Sequence, residues 1–153
     1  NLARNGNEDQ KARYLPDACS GAKIGGMCMS EPGNGTDVLG MATNAVEHDD
    51  HFVLNGSKMW ITNGCISDTD LGDTFLVYAR TSEGSGAGSH SLFLLEKGTE
   101  GFSLGQRIKN KCGMRASATA ELVFENVKIP RKNLVGKTGE AVLHMMRNLE
   151  LER

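Results

Sequence analysis

The chain has 153 residues, 39% of them hydrophobic and 24% charged, with a formal net charge of −2. That is the size of one ordinary domain, able to bury roughly 68–70% of its unfolded surface without disulfides or metals. A basic nucleic-acid arm as the main theme, a membrane-spanning helix of roughly 20 apolar residues and low-complexity disorder are all excluded.

In chain order, Asn7 to Ser20 reads as a short helix that Pro16 interrupts and Gly21 ends. Lys23 to Ser30 is a short Ile- and Met-containing run, followed by the turn cluster Glu31-Pro32-Gly33-Asn34-Gly35-Thr36-Asp37. Apolar runs then appear at Ala42 to Val46, Phe52 to Leu54 and Lys58 to Thr62. Asn55-Gly56 and Asn63-Gly64 punctuate them as hairpin turns, because both residue types tolerate positive φ, and predict an antiparallel meander. Further strands are expected at Thr74 to Arg80, His90 to Glu96, Phe102 to Ile108 and Thr119 to Ile129, with a Gly/Ser loop from Ser82 to Ser89. A closing helix starts near Thr138. The spacing predicts a mainly β fold, an antiparallel β-barrel or sandwich with short flanking helices. The helix running out to charged residues without a terminator, and the lack of an initiator Met, read as a piece of a larger protein.

Three candidate features carry chemistry. In Ser30 to Asp37, two glycines bracketing one residue could turn several backbone N–H groups inward to hold a pyrophosphate, with Ser30 and Thr36 adding hydroxyls; local composition alone favours a plain connecting turn. In Lys58 to Gly64, alternation puts Trp60, the only tryptophan, on one strand face with Thr62, where an indole plane and a hydroxyl could hold a flat heterocycle; ordinary packing is the alternative. Met59 and Ile61 take the other face. The closing helix has an apolar stripe through Val142, Met145, Met146 and Leu149, with Glu152 and Arg153 near its edges; a carboxylate there is placed either as a general base or in surface ion pairs. His48 and His51 flank Asp49-Asp50 in what reads as a solvated polar turn rather than a metal cluster, and no metal is expected. The cysteines at 19, 28, 65 and 112 read as reduced thiols of an intracellular protein, without a C-x-x-C pair.

Five stretches together resemble the acyl-CoA dehydrogenases: Arg13 to Pro16, Met29 to Asp37, Leu54 to Gly64, Gly113 to Arg115 and Val127 to Pro130, recurring in family order over essentially the whole chain. Leu149-Glu150-Leu151-Glu152-Arg153 resembles the isovaleryl-type branch. The resemblance implies that residues 1–21 end an N-terminal helical domain, 22–136 form the middle β-domain and 137–153 begin a C-terminal helical domain. It implies FAD as cofactor, with Met29, Ser30, Gly35, Thr36, Trp60, Ile61 and Thr62 against it. Glu152 would be the catalytic base, and Thr36, Glu150 and Arg153 would lie on the substrate. The implied activity is α,β-dehydrogenation of a short branched acyl-CoA, isovaleryl-CoA to 3-methylcrotonyl-CoA in leucine catabolism. Electrons pass to electron-transferring flavoprotein, and the parent is a homotetramer of the mitochondrial matrix with no nucleic-acid partner. Another acyl-CoA dehydrogenase, an acyl-CoA oxidase or a non-catalytic β-sandwich binding module are the alternatives. The chain alone is expected to be inactive. Ser67 to Asp73 reads as an insertion relative to isovaleryl-type sequences, and Ser89 and His90 are candidates for contact with the CoA end.

Overall fold

The computed structural model describes residues 1–84 and 86–152, the side chains of 151 and 152 excepted. The chain opens with helices α1 (Leu2–Asn5) and α2 (Glu8–Ser20). The strands follow: β1 (Gly25–Cys28), β2 (Asn44–Glu47), β3 (His51–Thr62), β4 (Thr74–Arg80), β5 (His90–Glu96), β6 (Phe102–Arg107), β7 (Thr119–Pro130) and β8 (Leu134–Val135). Helix α3 (Ala141–Glu152) closes it. Helix α2 starts on a capping box: Asn7 Oδ1 accepts the Gln10 N–H at 2.8 Å and Gln10 Oε1 accepts that of Asn7 at 3.1 Å. Gly21 ends it with φ 77°. Pro16 does not interrupt α2 as expected; Pro16 and Ala12 are both exposed, so water can take the carbonyl the missing N–H leaves free.

Among the described residues the strands form one sheet in the order β6-β7-β3-β2-β4-β5-β8, with β1 parallel to β4. Pairing is otherwise antiparallel, except where β2 meets β4 through the single pair Asn44 and Arg80. At that weak joint the sheet folds back on itself. Phe52 of β3 packs edge-on against Phe93 of β5 (ring centroids 4.9 Å), and Phe75 of β4 against Phe102 of β6 (5.2 Å), although neither pair of strands is hydrogen-bonded. These rings lie in the main core, which takes alternate residues of β4 (Phe75, Val77, Ala79) and β5 (Phe93, Leu95). The intervening residues Tyr78, Leu92 and Leu94 face a second core with Leu2, Tyr14, Ala141 and Met145 of the helices. The result is a sandwich with helices on one outer face; the sheet is not closed into a barrel.

The two Asn-Gly pairs are not hairpin turns. Strand β3 runs straight through Asn55-Gly56, and the irregularity there belongs to β7, whose extra residue beside Asn126 (φ 52°) makes a bulge. Asn55 Oδ1 accepts the Asn126 N–H at 2.8 Å. Gly56 is needed for another reason: its φ is 139°, and a Cβ there would come within 2.7 Å of the Thr43 Cα. Asn63 (φ 59°) and Gly64 end β3, but the chain then crosses to the other layer instead of returning beside it. The β2–β3 hairpin turns instead at His48-Asp49-Asp50, the polar turn expected there. Its histidine rings stack at 4.8 Å, and Arg131 fastens it to the end of β7 through Glu47 and the carbonyls of His48 and Asp49.

Helix α3 starts at Ala141 rather than Thr138, and its buried face runs Ala141, Val142, His144 and Met145, with Leu149 packed alongside. Met146, expected on that stripe, is exposed, because the face turns toward His144 instead.

Gly56→Ala should destabilise the full-length protein by roughly 2–4 kcal/mol, combining overpacking with backbone strain. Gly33→Ala, where a Cβ meets nothing within 4 Å, should stay within about 0.5 kcal/mol. Thermal melts of the two variants check the contrast.

Candidate cofactor surface

β1 ends at Cys28, and the chain leaves it as Met29-Ser30 into the turn cluster. Two bonds lay this segment along β3: the Ser30 carbonyl accepts the Met59 N–H at 2.9 Å, and the Met29 carbonyl accepts Lys58 Nζ at 2.9 Å. Lys58 is fully buried, because the register of β3 continues Phe52 and Leu54 inward. Its ammonium also donates to Glu31 Oε1 at 3.0 Å. The Glu31 carboxylate in turn accepts the N–H of Ala42 (2.7 Å) and of Thr43 (3.0 Å). Thr43 Oγ1 donates to the Ser57 carbonyl at 3.1 Å, over Gly56. One buried ion pair thereby fixes both ends of the loop that carries the turn cluster.

Burial pushes the Lys58 ammonium below the ordinary lysine range, against the pull of Glu31. For Glu31, burial pushes upward but is outweighed by Lys58 and the Thr43 and Ala42 donors, so its carboxyl sits below the ordinary carboxylate range.

Immediately beyond Met59 the strand bulges. Lys58 pairs with Leu122 and Ile61 with Ala120, so β3 fits three steps against two of β7. Trp60 sits in this bulge with φ 66° and is 58% exposed. A bulky residue in left-handed backbone costs of order 1–3 kcal/mol, and such outliers cluster at functional surfaces. The bulge lets Lys58 and Ile61 both face the core while Trp60 and Thr62 face out.

Met29, Ser30, Trp60 and Thr62 are therefore brought to one edge of β3, with Gly35 and Thr36 exposed on the attached loop. The Ile61 side chain lies in the main core, leaving only its backbone to a ligand. Glu150 is exposed on α3. The Glu152 side chain and all of Arg153 lie outside the described residues. Neither Gly33 nor Gly35 has positive φ, and a Cβ on either would meet nothing within 4 Å; they keep the loop open rather than winding it into an alternating nest. Glu31 and Asn34 spend their N–H groups on each other's carbonyls, Val38 on Thr36 and Gly40 on Asp37. The N–H groups of Gly35 and Thr36, and the hydroxyls of Ser30, Thr36 and Thr62, have no partner among the described residues. An open loop with free donors, joined through Ser30 to the strand that bears an outward indole, fits a flat heterocycle carrying a pyrophosphate.

Ser89 and His90 are buried, which keeps their side chains from a ligand at the surface. His90 Nε2 lies 3.1 Å from the Leu39 carbonyl, joining the Gly/Ser loop to the far end of the turn cluster. The Ser67–Asp73 segment folds onto itself through Ser67 and Asp70, and Asp68 pairs with Arg107 and Lys109. Among the described residues no three His, Cys, Asp or Glu side chains gather to hold a metal.

Glu31, Lys58, Thr43 and Gly56 are the residues sequence reasoning missed. The available signal was a lysine at an inward position of an otherwise apolar strand face, which demands a buried partner.

The sequence model of the acyl-CoA dehydrogenase middle domain matches residues 26–127. The chain is 45% identical to the mitochondrial isovaleryl-CoA dehydrogenase of Arabidopsis thaliana, over 99% of this chain and 36% of that protein. It is also 45% identical to the mitochondrial 2-methylacyl-CoA dehydrogenase of Solanum tuberosum, over 99% of this chain and 35% of that one. The structure of butyryl-CoA dehydrogenase from Megasphaera elsdenii superposes with TM-score 0.88 at 37% identity, covering 97% of this chain and 38% of that one. The chain thus spans about a third of the length of these proteins.

Lys58→Met should destabilise the full-length protein by about 3–5 kcal/mol, since the Glu31 carboxylate is left buried and unpaired. The pair also sets an acid limit. Glu31 is held below its unfolded value of about 4.3, so the unfolded chain binds more protons in that window. Its contribution is complete above about pH 4.3 and is lost as pH falls through the lowered folded value. Melts on either side of pH 4 should show a steeper acid loss in the wild type than in Glu31→Gln.

Proposed function

The chain belongs to the acyl-CoA dehydrogenase family, and on that premise we propose that its parent protein dehydrogenates a short branched acyl-CoA with FAD as cofactor. The observation that carries this reading is the outward, strained Trp60 beside the Met29–Ser30 segment. The flavin supplies the hydride acceptor and its redox chemistry. Trp60 supplies an indole plane against which a flat ring can pack, and the Thr62 hydroxyl, two residues on, a donor at its edge. Ser30 adds a hydroxyl on the other side of the Ser30–Met59 bond. Gly35 and Thr36 offer N–H donors to a pyrophosphate, and the Thr36 hydroxyl reaches the substrate side.

We assign the base to Glu152 on the Leu149–Arg153 motif, with Glu150 and Arg153 on the substrate. The Glu152 carboxylate takes the α proton of the thioester as the β hydride leaves. Residues 22–136 serve as the middle β-domain, 1–21 and 137–153 as parts of the flanking helical domains. Electron-transferring flavoprotein as electron acceptor, a mitochondrial matrix location and a homotetrameric parent complete the reading; the mitochondrial names of the relatives support the location.

Two branched substrates compete, because the isovaleryl and 2-methylacyl relatives are equally identical. Steady-state turnover of the full-length holoprotein with isovaleryl-CoA, 2-methylbutyryl-CoA and butyryl-CoA separates them. A branched substrate should lead butyryl-CoA by roughly tenfold or more in kcat/KM, the scale of one methyl group in an apolar pocket. Preference for butyryl-CoA overturns the branched assignment. Glu152→Gln should slow flavin reduction by roughly 10²–10⁴ at unchanged FAD content; an unchanged rate moves the base elsewhere.

A further inference from the structure

A charge pair buried as deeply as Lys58 and Glu31 is not explained by stability. Replacing such a pair by well-packed apolar side chains is often neutral or stabilising. What apolar side chains cannot do is hold particular backbone atoms. The pair grips the Met29 carbonyl at one end of the loop and the N–H groups of Ala42 and Thr43 at the other. All three belong to residues 29–43, the segment with the free donors and the two open glycines. A second bond from β3, Met59 N–H to the Ser30 carbonyl, locks the same end to the strand that carries Trp60.

We propose that Lys58 and Glu31 are positioning residues for the flavin, and that together they preorganise the loop 29–43 against β3 before the cofactor arrives. The inference rests on the functional reading above. A loop clamped at both ends has little conformational entropy left to lose, so FAD binds a surface already formed. Without the clamp, ordering the loop is charged against every binding event. Neither residue has to touch the flavin: Lys58 acts through the Met29–Ser30 segment, and Glu31 through residues 42 and 43.

The double variant Lys58→Met/Glu31→Gln tests this in the full-length protein. It is uncharged where the native pair is net neutral, so a change in flavin properties reports geometry rather than net charge. The amide introduced by Glu31→Gln retains an oxygen for one N–H, which favours folding; circular dichroism and the melting temperature check that. Three readouts follow: hydrogen exchange at Ala42 and Thr43 in the FAD-free protein, the FAD dissociation constant, and the flavin midpoint potential at saturating FAD. In the wild type, the Ala42 and Thr43 amides should be protected equally with and without FAD. In the double variant their exchange without FAD should accelerate at least tenfold, the FAD dissociation constant should rise at least tenfold, and the midpoint potential should shift. Lys58→Met alone should show the same three changes with a lower melting temperature. A folded double variant with wild-type exchange, affinity and potential overturns the proposal and leaves the functional reading standing. Amides protected in the wild type only after FAD is added also overturn it. A wild-type protein that retains no FAD removes the functional reading and this inference with it.

Discussion

The buried ion pair between Lys58 and Glu31 is the constraint around which the middle of this molecule is arranged. An ammonium taken fully out of water must find an opposite charge and further hydrogen-bond partners, or its burial costs several kcal/mol. Here the partners are Glu31, the Met29 carbonyl and the Met41 sulfur at 3.6 Å. Meeting that demand draws the loop down onto β3 at both ends. It also forces close approach at Thr43 and Gly56, where only glycine leaves room and adopts the backbone angle. The exposed chemistry of the loop follows from buried electrostatics beneath it.

The same strand serves the core and the surface. β3 lies inside the sheet between β2 and β7, and its inward residues Phe52, Leu54 and Ile61 join the main core. A strict two-residue period would have sent Trp60 inward after Lys58 and turned Ile61 out. The bulge resets the phase, so that the indole faces solvent while the isoleucine stays packed. A rigid core strand is thus the mount for Trp60 and Thr62, and the clamped loop, bonded to Met59 through Ser30, carries Gly35 and Thr36. Positioning of this kind is what a protein contributes when the cofactor carries the difficult chemistry.

Much of the architecture was legible in the sequence because local pattern and final environment agree. β4 and β5 were read to the residue, since their alternate faces are both apolar and their ends are marked by charge and loop composition. The ordered motifs likewise gave the family and grouped Met29, Ser30, Trp60 and Thr62. The failures share a cause: tertiary context overrode a local signal. Asn55-Gly56 looks like a turn from its two residues alone, yet the reason for Gly56 is Thr43, which arrives from another strand. Proline ordinarily breaks a helix through a ring clash and a lost hydrogen bond, yet α2 continues through Pro16, with Ala12 and Pro16 both on its exposed side. Met146 misses the buried face because that face is centred nearer Ala141 and Met145 and runs toward His144. Lys58 and Glu31 lie far apart in the chain, and their pairing becomes visible only once the loop is folded onto the strand.

The proposed function requires this surface to hold a flavin in position to take electrons from an acyl-CoA. Anaerobic titration of the flavin-loaded full-length protein with isovaleryl-CoA, followed by flavin absorbance, tests it most directly. Prompt bleaching of the oxidised flavin band is expected. A fully loaded flavin that responds to neither this thioester nor any other acyl-CoA would contradict it.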